Sequence, residues 1–415
     1  VIRTQLSWLN PRLTGLATSA GLGDRLGLAT PGHVRAVRDC VGRIIPIFAQ
    51  QSMREMARTR RTPQQVMDDA LWGMLEENWQ EGFGADADHL KTIDDIDACL
   101  DAGFTFFTID PGEYVNNEGE YASKAELHAM TANLPSQMQL ERTGLLDKSF
   151  QIEHIAARFD EVALLRCMVK YGGSVWHVAE MYQHLKERAG SHPWELEVSV
   201  DETASPTSHL EHIYIASELM RLGVQWVSLA PRFVGAFEKG VDYIGDVAAF
   251  EADIAGHAAI ARRFGPYKLS LHSGSDKFSI YGPAARQTNG LVHLKTAGTS
   301  YLEALRTVAE LDQAMMKEIY TFARQRYTTD RASYHVSANL DIAPLPEDVN
   351  DWNSLLDQFD AREILHVTFG SVLKEQLSDG SLLFYDRLMQ QLLNHPEAYA
   401  DNLRRHFNRH LMPFC

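Results

Sequence analysis

Cysteine is scarce in this chain of 415 residues. Its four cysteines, Cys40, Cys99, Cys167 and Cys415, are scattered and form no Cys-x-x-Cys pair. That spacing argues against a zinc ribbon or a disulfide framework and fits a reducing cytoplasm. Long apolar runs are missing too. None approaches the roughly 18 residues of a membrane span, and residues 1–30 lack the charged start and apolar block of a secretion signal. The chain opens on Val1 instead of Met, which suggests trimming. Excess positive charge is absent: the net charge is −16, with no long acidic run. Phosphate backbones need a basic surface, so the balance argues against a nucleic-acid partner, while a few local cations would still hold a small anion. No Gly-x-Gly-x-x-Gly follows a strand, which weakens a dinucleotide-binding fold.

What is present is ordinary globular composition, 45% apolar and 23% charged, in a length that suits one large domain with insertions or two domains. Glu195 to Asp201 alternates strictly: Leu196, Val198 and Val200 on one side, Glu197, Ser199 and Asp201 on the other. Period two is the mark of a strand with two different faces. The pattern returns in 267–272, 291–295 and 364–368. The strands expected are 83–88, 104–110, 195–201, 224–230, 267–272, 291–296, 332–337 and 364–370, with helical patterns at 93–103, 207–222, 247–264, 277–287, 299–329 and 350–361. Eight strands alternating with helices predict an α/β fold of the (β/α)8 TIM-barrel type, with an open doubly wound sheet as the runner-up. Residues 82–371 then form the barrel, 1–81 a leader and a helix opened by Thr62-Pro63, and 372–415 a C-terminal helical segment. Within the leader, 43–48 has the composition of a strand. The stretch 111–194, between the second and third expected strands, is too long for a loop and reads as a helical insertion, a lid over the mouth or a subunit contact in a homo-oligomer.

Active sites of such barrels lie at the carboxyl ends of the strands. Those ends carry Asp86, Asp88, His89 and Lys91; Asp110; Asp201 and Glu202; Arg232; His272, Asp276 and Lys277; Lys295; His335; and Thr368 with Ser371. Imidazoles converging with carboxylates suit a divalent metal cation such as Mn, Fe, Co, Ni or Zn. His272 ends a strand in the polar phase, and His335 two strands on would share its layer, while His293 would sit deeper. His89 is out of phase with Asp86 and Asp88 and would reach an ion only from a curling strand end. Asp88 and Glu202, on the first and third strand ends, are candidates to flank a substrate as base and acid, with a solvated rim or a salt-bridge pair as the alternative. Lys91, Arg232, Lys277 and Lys295 are candidates to hold an anionic substrate group, with pairing to the same acids as the alternative. Gly274 to Lys277 opening a helix is a weaker anion-binding signal.

At Gly84–Lys91, Val198–Thr203, Leu271–Phe278 and His293–Thr299 the chain resembles the tagaturonate/fructuronate epimerases of hexuronate catabolism, from about residue 40 onward. The resemblance implies a metal-dependent barrel enzyme that inverts carbon 4 of a sugar acid. It implies Asp88 as proton acceptor, Glu202 as donor, and His89 and His272 as metal ligands; His335 as third ligand rests on the layer argument alone. Some relatives act on tagatose and fructose. Carbon 4 is not adjacent to the carbon 2 ketone, so its C–H is not acidic. Hydride removal would need a nicotinamide. The remaining route is retro-aldol cleavage of the carbon 3–carbon 4 bond, with the metal carrying the enediolate charge. The rivals are a metal-dependent aldolase or ketose isomerase on the same fold, and a sugar-binding protein without catalysis.

Overall fold

The computed structural model describes residues 2–40, 44–296 and 298–415, so Arg43 of the expected leader strand and Ala297 of the last motif lie outside the described residues. Eight parallel strands close into a barrel: β1 Ser19–Gly21, β2 Ile45–Ser52, β3 Gly84–Leu90, β4 Phe106–Ile109, β5 Glu195–Val200, β6 Ser228–Pro231, β7 Lys268–Leu271 and β8 Val292–Lys295. Each neighbours the next in chain order, and β8 returns to β1 with Ser19 opposite His293 and Gly21 opposite Lys295. Parallel neighbours need crossovers, and helices supply them.

The barrel stands, but two of its strands are not those expected. Residues 332–337 hold a short 3-10 turn, Arg331–Ser333, and then irregular chain, and 364–370 belongs to the helices Phe359–Val367 and Phe369–Lys374. Asp360 to Val367 are all buried, so over five residues an alternating pattern could not separate a strand from an all-round buried helix. The missing pair, β1 and β2, comes from the presumed leader. β1 has only three residues, and β2 carries Pro46 and ends in Gln50-Gln51-Ser52, so neither shows a clean alternation. The long insertion therefore follows β4.

The alternation in β5 works as its sequence implies. Leu196, Val198 and Val200 are at most 2% exposed and pack in the aliphatic core, each stabilising by about 1.5–3 kcal/mol. Glu195, Glu197 and Ser199 enter the interior, which is polar and layered. At the bottom Glu195 accepts from the Thr14 and Gly15 backbone N–H groups, and Lys268 Nζ donates to Thr14 and Ser19.

Capping boxes start the crossover helices at Thr92, Ser208 and, before β3, at Thr62 with Pro63 in the first turn. The helix Thr299–Leu311 begins after Gly298 without a side-chain cap. Residues 111–194 are mainly helical, ending in the 29-residue helix Glu161–Ala189, but include a hairpin, Ser149–Ile152 with Ile155–Arg158. The last long helix, Pro396–Leu411, packs on Thr30–Asp39 at Gly32, where a Cβ would stand 2.5 Å from Leu403 Cβ. A disulfide joins Cys40 to Cys415, 375 positions apart, with Cα atoms 5.5 Å from each other. This single bridge is not a framework, since Cys99 and Cys167 stay free, and no local spacing announces it because its cysteines become neighbours only through that helix pair. No helix among the described residues is long and apolar enough to cross a membrane.

Candidate active site

β3 and β4 slip register between Ala87 and Leu90, and His89 adopts a left-handed backbone (φ 51°). A bulge of this kind re-aims side chains at a barrel rim. It removes the phase objection to His89: Asp88 and His89, which a regular strand would send to opposite faces, both reach the mouth. The left-handed residues Ser273 and Asp276 bend the chain in the same way after β7. Left-handed backbone costs such residues about 1–3 kcal/mol each and collects at functional sites.

At the centre of the mouth Lys295 Nζ lies 2.6 Å from Asp88 Oδ1, 3.0 Å from Asp86 Oδ2, 3.0 Å from Glu197 Oε1 and 2.6 Å from Thr108 Oγ1. Gln50 donates to the other Asp88 oxygen at 3.0 Å. Burial opposes ionisation of Asp88, but His89, Lys295 and His272 outweigh it and hold its carboxyl well below the usual range. His272 is clasped by two acids, with Nε2 2.7 Å from Glu197 Oε1 and Nδ1 3.2 Å from Asp201 Oδ1. Burial works against its cation, yet Asp201 and Glu197 raise its pKa to about 10. His89 Nδ1 lies 3.1 Å from Asp110 Oδ2, and the His89 and His272 ring centroids are 5.1 Å apart.

Above this floor opens a cavity of about 620 Å³, lined among others by His89, Asp201, Glu202, Arg232, His272 and His335. A smaller hollow of about 40 Å³ beside it shares His89, Lys239 and His272 in its lining and is also lined by Asp88 and Lys295. A separate hollow of about 370 Å³ between Arg58 and Lys374 is lined by no histidine. His89, Asp110 and Glu202 each place a donor atom within 4.8 Å of the other two, a set of the kind that holds a divalent cation.

Asp88, His89, Glu202, His272, Lys295, Arg232 and His335 thus meet at one mouth. Two expected substrate cations do not. Lys277 is buried, its Nζ donating to the carbonyls of Glu238, Val241 and Ser275, where it staples a loop. Lys91 turns outward to Glu113 at 3.1 Å and is not among the cavity's lining residues. Lys295 reaches the mouth, but its charge is spent on three carboxylates. The layer argument for His335 loses its premise, because that residue sits on irregular chain; it reaches the cavity from the exposed rim. Of the insertion, Asn117 is the residue that lines the cavity. Sequence reasoning missed Gln50 and Arg54, hidden in the presumed leader, and Lys239, whose Nζ bonds Ser273 Oγ at 2.5 Å. The signal available for Gln50 and Arg54 was the polar end of β2.

A model of the tagaturonate epimerase family matches residues 1–413. The chain belongs to that family. It is 44% identical, over 413 residues, to the tagaturonate/fructuronate epimerase of Thermotoga maritima, covering 99% of this chain and 83% of that protein. The native crystal structure of fructuronate-tagaturonate epimerase UxaE from Cohnella laeviribosi superposes with a TM-score of 0.94 at 41% identity, over all of this chain and 84% of that one. A glycerol complex of the same Cohnella protein gives 0.95 at the same identity. This member of the tagaturonate epimerase family is therefore an enzyme of the isomerase class, built on a barrel whose mouth gathers acids and imidazoles.

Proposed function

We propose that the enzyme interconverts D-tagaturonate and D-fructuronate by inverting carbon 4, through retro-aldol cleavage and re-addition. The observation that carries this reading is the meeting of Asp88, His89, Glu202 and His272 at one cavity in a chain whose Thermotoga relative bears that activity in its name. A base must be ionised before the reaction starts, and Asp88 is held so by its neighbours. It accepts the proton of the carbon 4 hydroxyl. The carbon 3–carbon 4 bond breaks, carbon 4 becomes an aldehyde, and the bond pair stays on the ketose fragment as an enediolate. When the aldehyde has turned its other face the bond re-forms, and Glu202 returns a proton to the new alkoxide. In the reverse direction the two acids exchange roles. Glu202 suits the shuttle because it is exposed, with Arg54 at 3.8 Å.

The residues present fit a divalent cation. His89 and Asp110 offer donor atoms beside Glu202, and the doubly clasped His272 adjoins them. We assign the ion to His89 and Asp110, joined by His272 once its ring gives up a proton to free a lone pair, and leave Glu202 for proton transfer. Such an ion supplies a Lewis acid that favours negative charge on substrate oxygens, and Mn, Ni, Co, Fe or Zn suits these donors. Arg232, Arg54 and Lys239 are the cations facing the cavity, and we assign them the carboxylate of the sugar acid. NMR of product formation from tagaturonate, fructuronate, tagatose and fructose tests the reading. Turnover of the uronates well above the neutral ketoses, lost in Asp88→Asn, is expected. Equal or better turnover of tagatose would move the substrate class, and release of three-carbon products would make the enzyme an aldolase.

A further inference from the structure

Outside the barrel, on the paired helices His209–Arg221 and Val247–Phe264, three more metal-ligating side chains meet. Asp253 and His257 are four positions apart on one helix, so they share a face. His209 opens the other. Asp253 Oδ1 lies 3.6 Å from His209 Nε2 and 3.6 Å from His257 Nε2, and the three donor atoms all fall within 4.8 Å of one another. Ligands about 2.0–2.2 Å from a tetrahedral ion stand roughly 3.3–3.5 Å apart, so small shifts would bring these atoms onto one sphere. None of the three lines the barrel-mouth cavity.

Their surroundings point the same way. His257 is fully buried, yet its Nε2 has no hydrogen-bond partner. Buried polar atoms are ordinarily satisfied, so an orphaned imidazole nitrogen facing a carboxylate and a second imidazole is what a bound cation would explain. Its other nitrogen is fixed: His257 Nδ1 lies 2.8 Å from His212 Nδ1, and His212 Nε2 lies 2.8 Å from the Tyr267 hydroxyl. With His257 donating through Nδ1, its Nε2 lone pair faces Asp253, an outer hydrogen bond of the kind that orients a metal-binding ring. Asp253 is oriented too, its Oδ2 accepting from the Val234 N–H at 3.1 Å. His209 lies against Gly256, whose place a Cβ could not fill without entering the imidazole. The His209 side chain is 32% exposed and Asp253 13%, which leaves an open side for entry and for water.

We propose that His209, Asp253 and His257 form a second divalent-cation site, selective for Zn2+ or a similar borderline ion, with water completing the shell. With no ion bound, His209 Nε2 donates to the Asp253 carbonyl at 3.1 Å; on binding, that proton moves to the outward Nδ1. The site ties the two helices together and, through Val234, anchors the loop after β6.

The test is calorimetric titration with Zn2+ alone of chelator-treated full-length protein carrying His89→Ala, which disables the barrel-mouth ligands. One Zn2+ equivalent is expected to remain. Adding His209→Ala or Asp253→Asn should weaken its binding at least about 100-fold, since even outer-shell losses cost 10–100-fold. Gly256→Ala in the same background keeps every ligand and favours the helix, but displaces the His209 ring; it should weaken Zn2+ binding by at least about tenfold while circular dichroism stays unchanged. Zn2+ binding that is absent from the His89→Ala protein, or is the same in all four proteins, overturns the site.

Discussion

Lys295 reaches across the barrel to Asp88, Nζ to Oδ1 2.6 Å, and in doing so stands among Asp86, Asp88 and Glu197. This one ammonium compensates three carboxylates from two strands, β3 and β5. Lys295→Met leaves them buried without it, and removing one partner of such a group costs about 3–5 kcal/mol. The held-down carboxyl of Asp88 adds stability that is complete above its ordinary pKa near 3.8 and is lost as the pH falls below it. Without Lys295 the Asp88 carboxyl moves back toward its ordinary value and this contribution shrinks. Urea unfolding of Lys295→Met should give a lower midpoint at pH 7 and a shallower loss of stability below pH 3.8.

His272 behaves in the opposite sense. Its folded pKa of about 10 exceeds the ordinary 6.5, so its contribution is complete below about pH 6.5 and fades as the pH rises toward 10. Chelator-treated protein should lose thermal stability across that window. His272→Gln should be less stable at pH 6 and flatter from pH 7 to 10. An unchanged slope in the variant would show that other groups dominate.

Ligand and proton donor separate by readout. Glu202→Gln should lower kcat by about 10²–10⁴-fold, the usual worth of a positioned acid, and leave the melting temperature nearly unchanged because the side chain is exposed. Metal analysis of that variant should match the wild type. His89→Ala should lose both activity and the ion at the mouth. Metal lost equally in Glu202→Gln would make Glu202 a ligand.

Gly32 admits Pro396–Leu411 to close contact with Thr30–Asp39. A valine there would meet Leu403 Cβ at 2.5 Å and the Ala400 carbonyl at 2.9 Å. Overpacking of this kind costs about 1–3 kcal/mol, so Gly32→Val should shift the thermal midpoint down while KM stays at the wild-type value.

Period-two alternation in β5, β7 and β8 made the barrel and its polar interior legible, because each strand keeps one face on helices and the other on the pore. The first strand was not legible, since three residues of β1 carry no period. The second was legible only as the strand-like stretch 43–48 of the leader, because β2 buries nearly every residue and gives no alternation to tie it to the barrel. Asp88 and Glu202 were found because strand ends mark the mouth, and His89 was placed correctly at the rim, although only the bulge explains its direction. Lys277 misled because a lysine beside a motif can serve backbone carbonyls as well as a ligand. The Cys40–Cys415 bridge left no trace, since nothing local links positions 375 apart.

The most direct test is the conversion of D-tagaturonate by the metal-loaded enzyme in D2O, followed by NMR at carbon 4. If the carbon 3–carbon 4 bond opens and re-forms, D-fructuronate accumulates with protium retained at that carbon. Deuterium at carbon 4, or no fructuronate at all, would contradict the account.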